Sequence, residues 1–541
     1  MPRRNPRVFR HFGAIFDDFA ADRRHTFEAD RPFDLAPHRG TRWQVADLAE
    51  LVATTAGALA QFPFRGERRK VAIVKRNHLD FILLASAVAR GGGLPLMISG
   101  ANTPQAISEL LAKFEPDLII LSADQMPGLR PTLRASYSAV PQVILGADDI
   151  AVPGTSERMF ADLDASPLPL CEQPDPDAPM VCTHTSGTTG TPKIIVHSTR
   201  TGLHAQSAME SMRGAFWRAG RKDVYASSTA FNHIRNLSWI TAQLRCAPKL
   251  SFMLTDPSPE NMVRHFARVA PTMVEAHPND FQLWTDAART HPEAFARTRF
   301  FMSTFDAIHP HTVQALLGAS GRRFPIWGQG WAQSETGPIA VDFYFRRTFT
   351  TKRGLDRVKT LHGIPAPGVK IKIADEHGTD KQPGEVGMVY VRTGARCLDY
   401  LSESERHRLK ADTDGWWCTG DLGQRISLGR IRLIDREVDA MPGGSTISTE
   451  SELLHRIPEA VEIVVLATGD GLPQPVVSLR SGGELPELHW ERAVADLPPL
   501  RAPIYLDWAN VPKTATMKVR RSALREQLGA GYVGVGQGLW T

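Results

Sequence analysis

Thr183-His-Thr-Ser-Gly-Thr-Thr-Gly-Thr-Pro-Lys193 supplies hydroxyls at Thr185, Ser186, Thr188 and Thr189, pliable backbone at Gly187 and Gly190, and one cation at Lys193. Backbone amides in a glycine-rich turn converge on an anion, and hydroxyls with a lysine complete a cradle for phosphate oxygens. At roughly 1.5–3 kcal/mol per charge-assisted hydrogen bond, several such contacts hold a triphosphate. A Walker loop needs Gly-Lys adjacent and then Ser or Thr; here Thr191 and Pro192 separate Gly190 from Lys193. A solvated Ser/Thr/Gly linker seldom follows an apolar strand in so ordered a pattern.

Outward from this turn, Met180–Thr183 is expected to be a strand feeding it, with a helix from about Thr199 to Met212. Upstream, apolar runs at Lys70–Lys75, Asp117–Ser122 and Gln142–Gly146 read as buried strands, and Leu79–Arg90 as a helix. That alternation predicts βαβ units and a largely parallel sheet. From Gly363 to Val391 short β segments are broken by Pro365, Pro367, Gly368 and Gly384, as in a small barrel or distorted sheet. Composition changes between Gly423 and Asp439, and the rest reads as a compact α+β unit with Ala460–Leu466 a strand.

With 541 residues the chain exceeds a single core and calls for three or four folding units. A formal charge of +5 is mild over this length, and no basic run interleaves with aromatics, so nucleic acid is not an expected partner. Met1–Phe12 is basic but lacks the apolar stretch of a signal peptide, and no apolar run reaches the roughly 18 residues of a membrane span. Cys171, Cys182, Cys246, Cys397 and Cys418 are scattered without a CxxC pair, which fits a reducing cytoplasm better than a disulfide scaffold.

Four later segments carry matching chemistry. In Trp327-Gly-Gln-Gly-Trp-Ala-Gln-Ser-Glu-Thr-Gly-Pro338, an aromatic face is available to stack on a purine and a carboxylate to hold magnesium. Asp414-Gly-Trp-Trp-Cys-Thr-Gly-Asp-Leu422 presents Asp421, whose carboxylate can accept from two vicinal ribose hydroxyls. Leu433-Ile-Asp-Arg-Glu-Val-Asp439 contains Arg436, and Pro512-Lys-Thr-Ala-Thr-Met-Lys-Val-Arg520 contains Lys518.

In order and spacing the five segments resemble the AMP-forming, adenylate-forming superfamily, which includes acyl- and aryl-CoA synthetases, firefly luciferase and peptide-synthetase adenylation domains. Departures are Ile194 for a glycine after the lysine, Ala332 for glycine, Ser334 for threonine, Asp435 for glycine and Met517 for glycine. The resemblance implies an α/β fold: a large N-terminal domain, residues 1–434, of two α/β subdomains plus a small β-barrel-like unit. A mobile α+β C-terminal domain, residues 435–541, would carry the catalytic lysine and hinge near Glu437 and Val438. It further implies that Thr185, Ser186, Gly187, Thr188, Thr189, Gly190 and Lys193 bind the phosphates of ATP, and that Trp331 flanks adenine. Ser334 would touch the α-phosphate, Glu335 hold Mg2+, Asp421 bind ribose and Arg436 reach the nucleotide. Lys518, placed between an attacking carboxylate and the α-phosphate, would stabilise charge in the transition state.

Phe231-Asn-His-Ile-Arg-Asn-Leu237 aligns with the stretch that gates the acyl pocket, which assigns His233 to the entrance and places Arg235 and Asn236 beside it. An arginine facing the pocket would suit a substrate with a second anionic or polar group; pairing with a surface acid is the alternative. Ser303-Thr-Phe-Asp-Ala-Ile308 replaces a flexible glycine-containing strand end, so Phe305 would narrow the cavity and Asp306 meet an adenine or substrate amine. The leading expectation is an acyl- or aryl-CoA ligase for a small or aromatic acid, with CoA or a phosphopantetheine thiol as co-substrate. Transfer to a carrier protein in trans or to an amine is the second reading, and activation of nitrite to diazotise an aromatic amine a third. A non-catalytic nucleotide-binding protein is disfavoured because Lys193, Glu335, Asp421 and Lys518 are all present.

Overall fold

The computed structural model describes residues 9–63, 68–146, 150–152, 155–170, 175–185, 192–359, 362–375, 378–426, 429–436, 445–468, 471–514 and 518–529. Among them, Ser186, Gly187, Thr188, Thr189 and Gly190 of the phosphate turn, the hinge residues Glu437 and Val438, and Met517 do not appear.

Two large sheets dominate. In the first, Lys70–Lys75, Leu94–Ser99, Leu118–Ser122 and Gln142–Leu145 pair in parallel. Their side chains are almost all buried on both faces, which explains why they read as continuous apolar runs rather than alternating ones. Pro179–His184 joins this sheet and forms an antiparallel hairpin with Ile194–Ser198. In sequence the expected phosphate turn joins the two strands of that hairpin. Its base is closed by the Thr185 amide donating to the Lys193 carbonyl at 3.0 Å and the Lys193 amide donating to Thr185 Oγ1 at 3.1 Å.

The second sheet has a parallel run of Thr26–Ala29, Leu250–Met253, Val224–Ser228, Met273–Ala276, Phe300–Ser303 and Ile326–Gln333. Antiparallel strands, Gly337–Tyr344 first, then continue the same sheet through His362–Pro365, Ile431–Arg436, Trp417–Arg425, Val386–Arg392 and Lys370–Ala374. The short β segments expected after Gly363 are therefore an extension of a large sheet, tied to it where His362 and Gly363 pair with Arg432 and Ile431. From Thr446 onward a three-stranded sheet, Ala460–Leu466, Gln474–Leu479 and Ile504–Tyr505, packs its own core around Leu453, Ile463 and Val477.

One helix differs from expectation. The stretch read as a single helix over Thr199–Met212 opens with a π-helical turn, Thr199–His204, and continues as an α-helix only over Ala205–Glu210. Ser198 and Thr201 cap each other at the start, which holds the wide turn directly behind the hairpin. Among the described residues no helix is long and apolar enough to cross a membrane.

Candidate active site

Three groups of side chains converge where the carboxyl ends of parallel strands meet the hairpin, the usual crevice of an open α/β sheet. On the phosphate side, Lys193 Nζ donates to Glu335 Oε1 and to Tyr400 Oη, each at 3.1 Å, and lies 4.6 Å from the centre of the Tyr400 ring. Tyr400 Oη donates to the same carboxylate at 2.7 Å. Burial alone raises the Glu335 carboxyl, but the Lys193 ammonium and the Tyr400 hydroxyl outweigh it and hold the group below its ordinary value. An ionised oxygen donor beside the phosphate turn fits Mg2+. Among the described residues no cluster of three or more His, Cys, Asp or Glu groups accompanies it, so the ion would take its other ligands from phosphate and water.

On the nucleoside side, Trp331 sits at an irregularity of Ile326–Gln333, and Gln333 Nε2 donates to Asp421 Oδ2 at 2.8 Å. Asp421 and Arg436 are cross-strand partners, with Arg436 Nε 3.7 Å from Asp421 Oδ1. Burial raises the Asp421 carboxyl, opposed by Arg436 and Lys410. A cleft of about 820 Å³ is lined by Trp331, Asp421, Arg436, Phe305, Asp306 and Lys518 among others, a volume within the ordinary range for a small-molecule site. Lys518 thus faces the nucleotide-side residues across the cleft. Burial lowers its ammonium, with Asp306 and Asp421 raising and Arg436 lowering it.

The third group is the acyl side. His233 caps the helix Ile234–Cys246: its Nδ1 accepts from the Arg235 amide at 3.1 Å. That fixes the tautomer, so Nε2–H donates to Ser334 Oγ at 2.8 Å. Burial, with Lys518 and the neighbouring His184, His277 and His197, pushes His233 down to about 3, so it is neutral at working pH. His197 Nε2 lies 2.9 Å from the Ser334 carbonyl oxygen and steadies the same segment.

Arg235 and Asn236 are placed differently from expectation. The Arg235 guanidinium grips Glu275 in bidentate fashion, at 2.8 and 2.6 Å, and also donates to Glu210 and to Ser238 Oγ. Its fork is filled by two carboxylates inside the fold rather than by a surface acid or held out to an anionic substrate. Glu275 also accepts from Tyr225 Oη at 3.3 Å. Asn236 is fully buried, donating to the Ala230 carbonyl at 2.6 Å and accepting from Thr229 Oγ1 at 2.8 Å, so it braces its own loop.

Phe305 adopts φ 83°, a left-handed conformation that a bulky residue rarely takes. Its ring lies 4.9 Å from that of His233 and 4.7 Å from that of His277. Asp306 follows it at the exposed edge, with its carbonyl accepting from Gln329 Nε2 at 2.9 Å. The strain yields a test: Phe305→Gly, unstrained at this φ, should be about 1 kcal/mol more stable than Phe305→Ala in chemical denaturation. Equal stability, or the reverse order, contradicts a strained backbone.

Across the same cleft, Glu462 on Ala460–Leu466 is raised from 4.5 to about 8 by burial, with Glu450 and Asp306 adding to the shift. A carboxyl whose pKa is raised in the folded state destabilises that state as pH climbs from 4.5 towards 8, because the unfolded chain loses the proton first. Glu462→Gln should therefore gain thermal stability over the parent at pH 8.5 and little at pH 4.5. A gain of the same size at both pH values rules out that linkage.

Tyr400, His197, Glu275, Glu210 and His277 escaped the sequence reading. Tyr400 arrives through the pairing of Asp399–Tyr400 with Val196 and Ile195, which no local pattern announces.

Comparison with known proteins agrees with this geometry. The sequence profile of the AMP-binding enzyme family matches residues 21–401. The chain is 32% identical over 515 residues to the 3-amino-2-hydroxy-4-methoxybenzoate diazotase of Streptomyces cremeus, covering 92% of this chain and 91% of that one. It is 25% identical to the 2-methylpropanoate–CoA ligase CCL4 of Humulus lupulus, covering 84% and 85%. ATP-bound MatB of Rhodopseudomonas palustris shares the fold at a TM-score of 0.77, with 20% identity and 96% and 98% coverage.

Proposed function

We propose that this chain, which belongs to the AMP-binding enzyme family, uses ATP to activate nitrite and passes the activated nitrogen to an aromatic amine. The observation that carries the choice is the filled fork of Arg235. One guanidinium stands between two carboxylates, Glu210 and Glu275, and Glu275 also accepts from Thr304 Oγ1, next to Phe305, at 3.4 Å, so two acids and one base meet there. Such a cluster offers carboxylate acceptors to the N–H groups of an amine. The similarity to a diazotase over most of the chain points the same way.

In this reading Lys193 and the phosphate turn hold the triphosphate, and Glu335 would hold Mg2+, which would supply neutralisation of phosphate charge. Lys518 offsets the repulsion between nitrite and the α-phosphate as the nitrite oxygen attacks. Neutral His233 orients Ser334, Asp421 binds ribose, and Trp331 flanks the base. Residues 435–541 then rotate about the hinge to open the site to the acceptor. Phe305 narrows the cavity against long acyl chains.

A CoA ligase for a small or aromatic acid is the second reading, supported by similarity to the Humulus lupulus ligase. Pyrophosphate exchange into ATP separates the two. Exchange that depends on nitrite, with an aminobenzoate then converted to a diazonium ion trapped as an azo dye, is the expected result. Exchange with benzoic acids but not nitrite, followed by CoA thioester formation, would overturn it.

A further inference from the structure

Behind Phe305 lies a side chain that none of the adenylating roles uses. His277 follows the buried strand Met273–Ala276, at the carboxyl end of the parallel sheet, and is only 6% exposed. Its Nδ1 donates to Asp280 Oδ2 at 3.2 Å, and that oxygen also accepts from Ser228 Oγ at 3.1 Å. The His277 amide faces the Ser228 carbonyl at 3.4 Å, so two neighbouring strand ends lock the pair in place. With the proton on Nδ1, Nε2 carries a free lone pair, and nothing among the described residues hydrogen-bonds it. A buried imidazole oriented by a carboxylate, with its second nitrogen unused, is the arrangement of a general base.

The ring lies against Phe305, and His233, bonded to Ser334, packs against the same phenyl group. Phe305 therefore stands between the ring of His277 and that of His233, which bonds to Ser334. Glu275, two residues before His277, lies on the strand that leads to it and belongs to the acidic cluster around Arg235. An amine attracted by that cluster and displacing the strained Phe305 ring comes into reach of Nε2.

We propose that His277, oriented by Asp280, is the base that takes the proton from the acceptor amine during transfer. The inference rests on the amine-acceptor reading above. As the amine nitrogen bonds to the activated nitrogen, the N–O bond to the nucleotide breaks and its electron pair leaves on the AMP phosphate. The amine proton passes to Nε2. After the N-nitroso product shifts its remaining N–H proton to oxygen, the proton held on Nε2 returns to that hydroxyl, and water leaves to give the diazonium ion. No oxidant or reductant is needed.

The test measures the two half-reactions separately in His277→Ala and His277→Gln, using the full chain with ATP, nitrite and an aminobenzoate. Transfer in a single turnover should fall about 10²–10⁴-fold in both variants, while nitrite-dependent exchange changes less than about threefold. Added imidazole should restore part of the transfer in His277→Ala. Transfer at the parent rate in either variant overturns the inference, and so does loss of exchange and transfer in equal measure, which marks a structural role. A parent protein that hands its adenylate to thiols and never to amines sinks the amine-acceptor reading itself, and the assignment of His277 with it. A parent that uses amines while the variants are unimpaired sinks the base alone.

Discussion

Lys518→Ala is expected to lose about 10²–10³ of the rate of adenylate formation while ATP binding weakens much less. On the proposed reading two anions meet when nitrite approaches the α-phosphate, and a preorganised cation placed where that charge concentrates would contribute roughly 3–4 kcal/mol to the transition state. Lys518 is delivered to the cleft by the turn in which the Thr514 amide donates to the Lys518 carbonyl at 2.8 Å, facing Asp421 and Arg436. The residues proposed to bind ATP, Lys193, Glu335, Asp421 and Trp331, are unchanged in the variant. Burial already lowers the Lys518 ammonium, so the cation interacts in surroundings poorer in water than the surface. Pyrophosphate exchange together with a binding titration of ATP checks the split. Full exchange activity would remove Lys518 from its role.

Lys75→Ala should be the most damaging single change to stability, at about 3–5 kcal/mol, or roughly 10 °C in the unfolding of the N-terminal sheet. The Lys75 side chain is wholly buried, with Nζ 2.9 Å from Asp34 Oδ2 and 2.6 Å from Asp80 Oδ1. Removing it takes away the cation that faces the buried Asp80 carboxyl and leaves it, among the described residues, the Leu35 amide at 3.2 Å on its other oxygen. Lys75, with Arg76 and Arg31, overcomes burial to hold Asp34 well below the ordinary 3.8. A depressed carboxyl stabilises the fold above its unfolded value and loses that contribution as pH falls, so the gap between parent and variant should shrink below about pH 4. By contrast Arg200→Ala removes an ion pair whose side chains are 58% and 52% exposed and screened by solvent, and should leave the melting temperature close to that of the parent. The damage at Lys75 reaches the site: two residues on, Asn77 donates to the Thr229 carbonyl at 2.8 Å and accepts from the Phe231 amide at 2.7 Å, which fixes the loop leading to His233. Comparable melting of Lys75→Ala and Arg200→Ala would refute the burial argument.

Much of this was legible before the fold was known, for identifiable reasons. Lys70–Lys75 and Leu118–Ser122 are buried on both faces, and a parallel strand in that position writes itself as an unbroken apolar run. The residues of the cleft lie on short ordered motifs, so Trp331, Asp421, Arg436 and Lys518 could be named and their neighbourhood expected. What stayed hidden depends on tertiary pairing. Arg235 reads as an unsatisfied cation until Glu210 and Glu275, far off in sequence, close around it. Phe305 gives no sign of its φ, because a left-handed phenylalanine obeys no local propensity and is imposed by its surroundings. The π-turn at Thr199–His204 was invisible for a similar reason, since its apolar spacing is that of an α-helix. His277 did leave a trace, a histidine at the end of a buried apolar run just before a proline, but that trace acquires meaning only beside Asp280.

Isotope tracing from nitrite addresses the central claim most directly, namely that an oxyanion attacks the innermost phosphorus of a nucleotide held in this cleft. With nitrite carrying 18O, ATP and an aminobenzoate, one labelled oxygen should appear in the phosphate of the AMP released, because bond breaking on transfer falls between nitrogen and that oxygen. AMP free of label, formed while the aminobenzoate is consumed, would contradict the account.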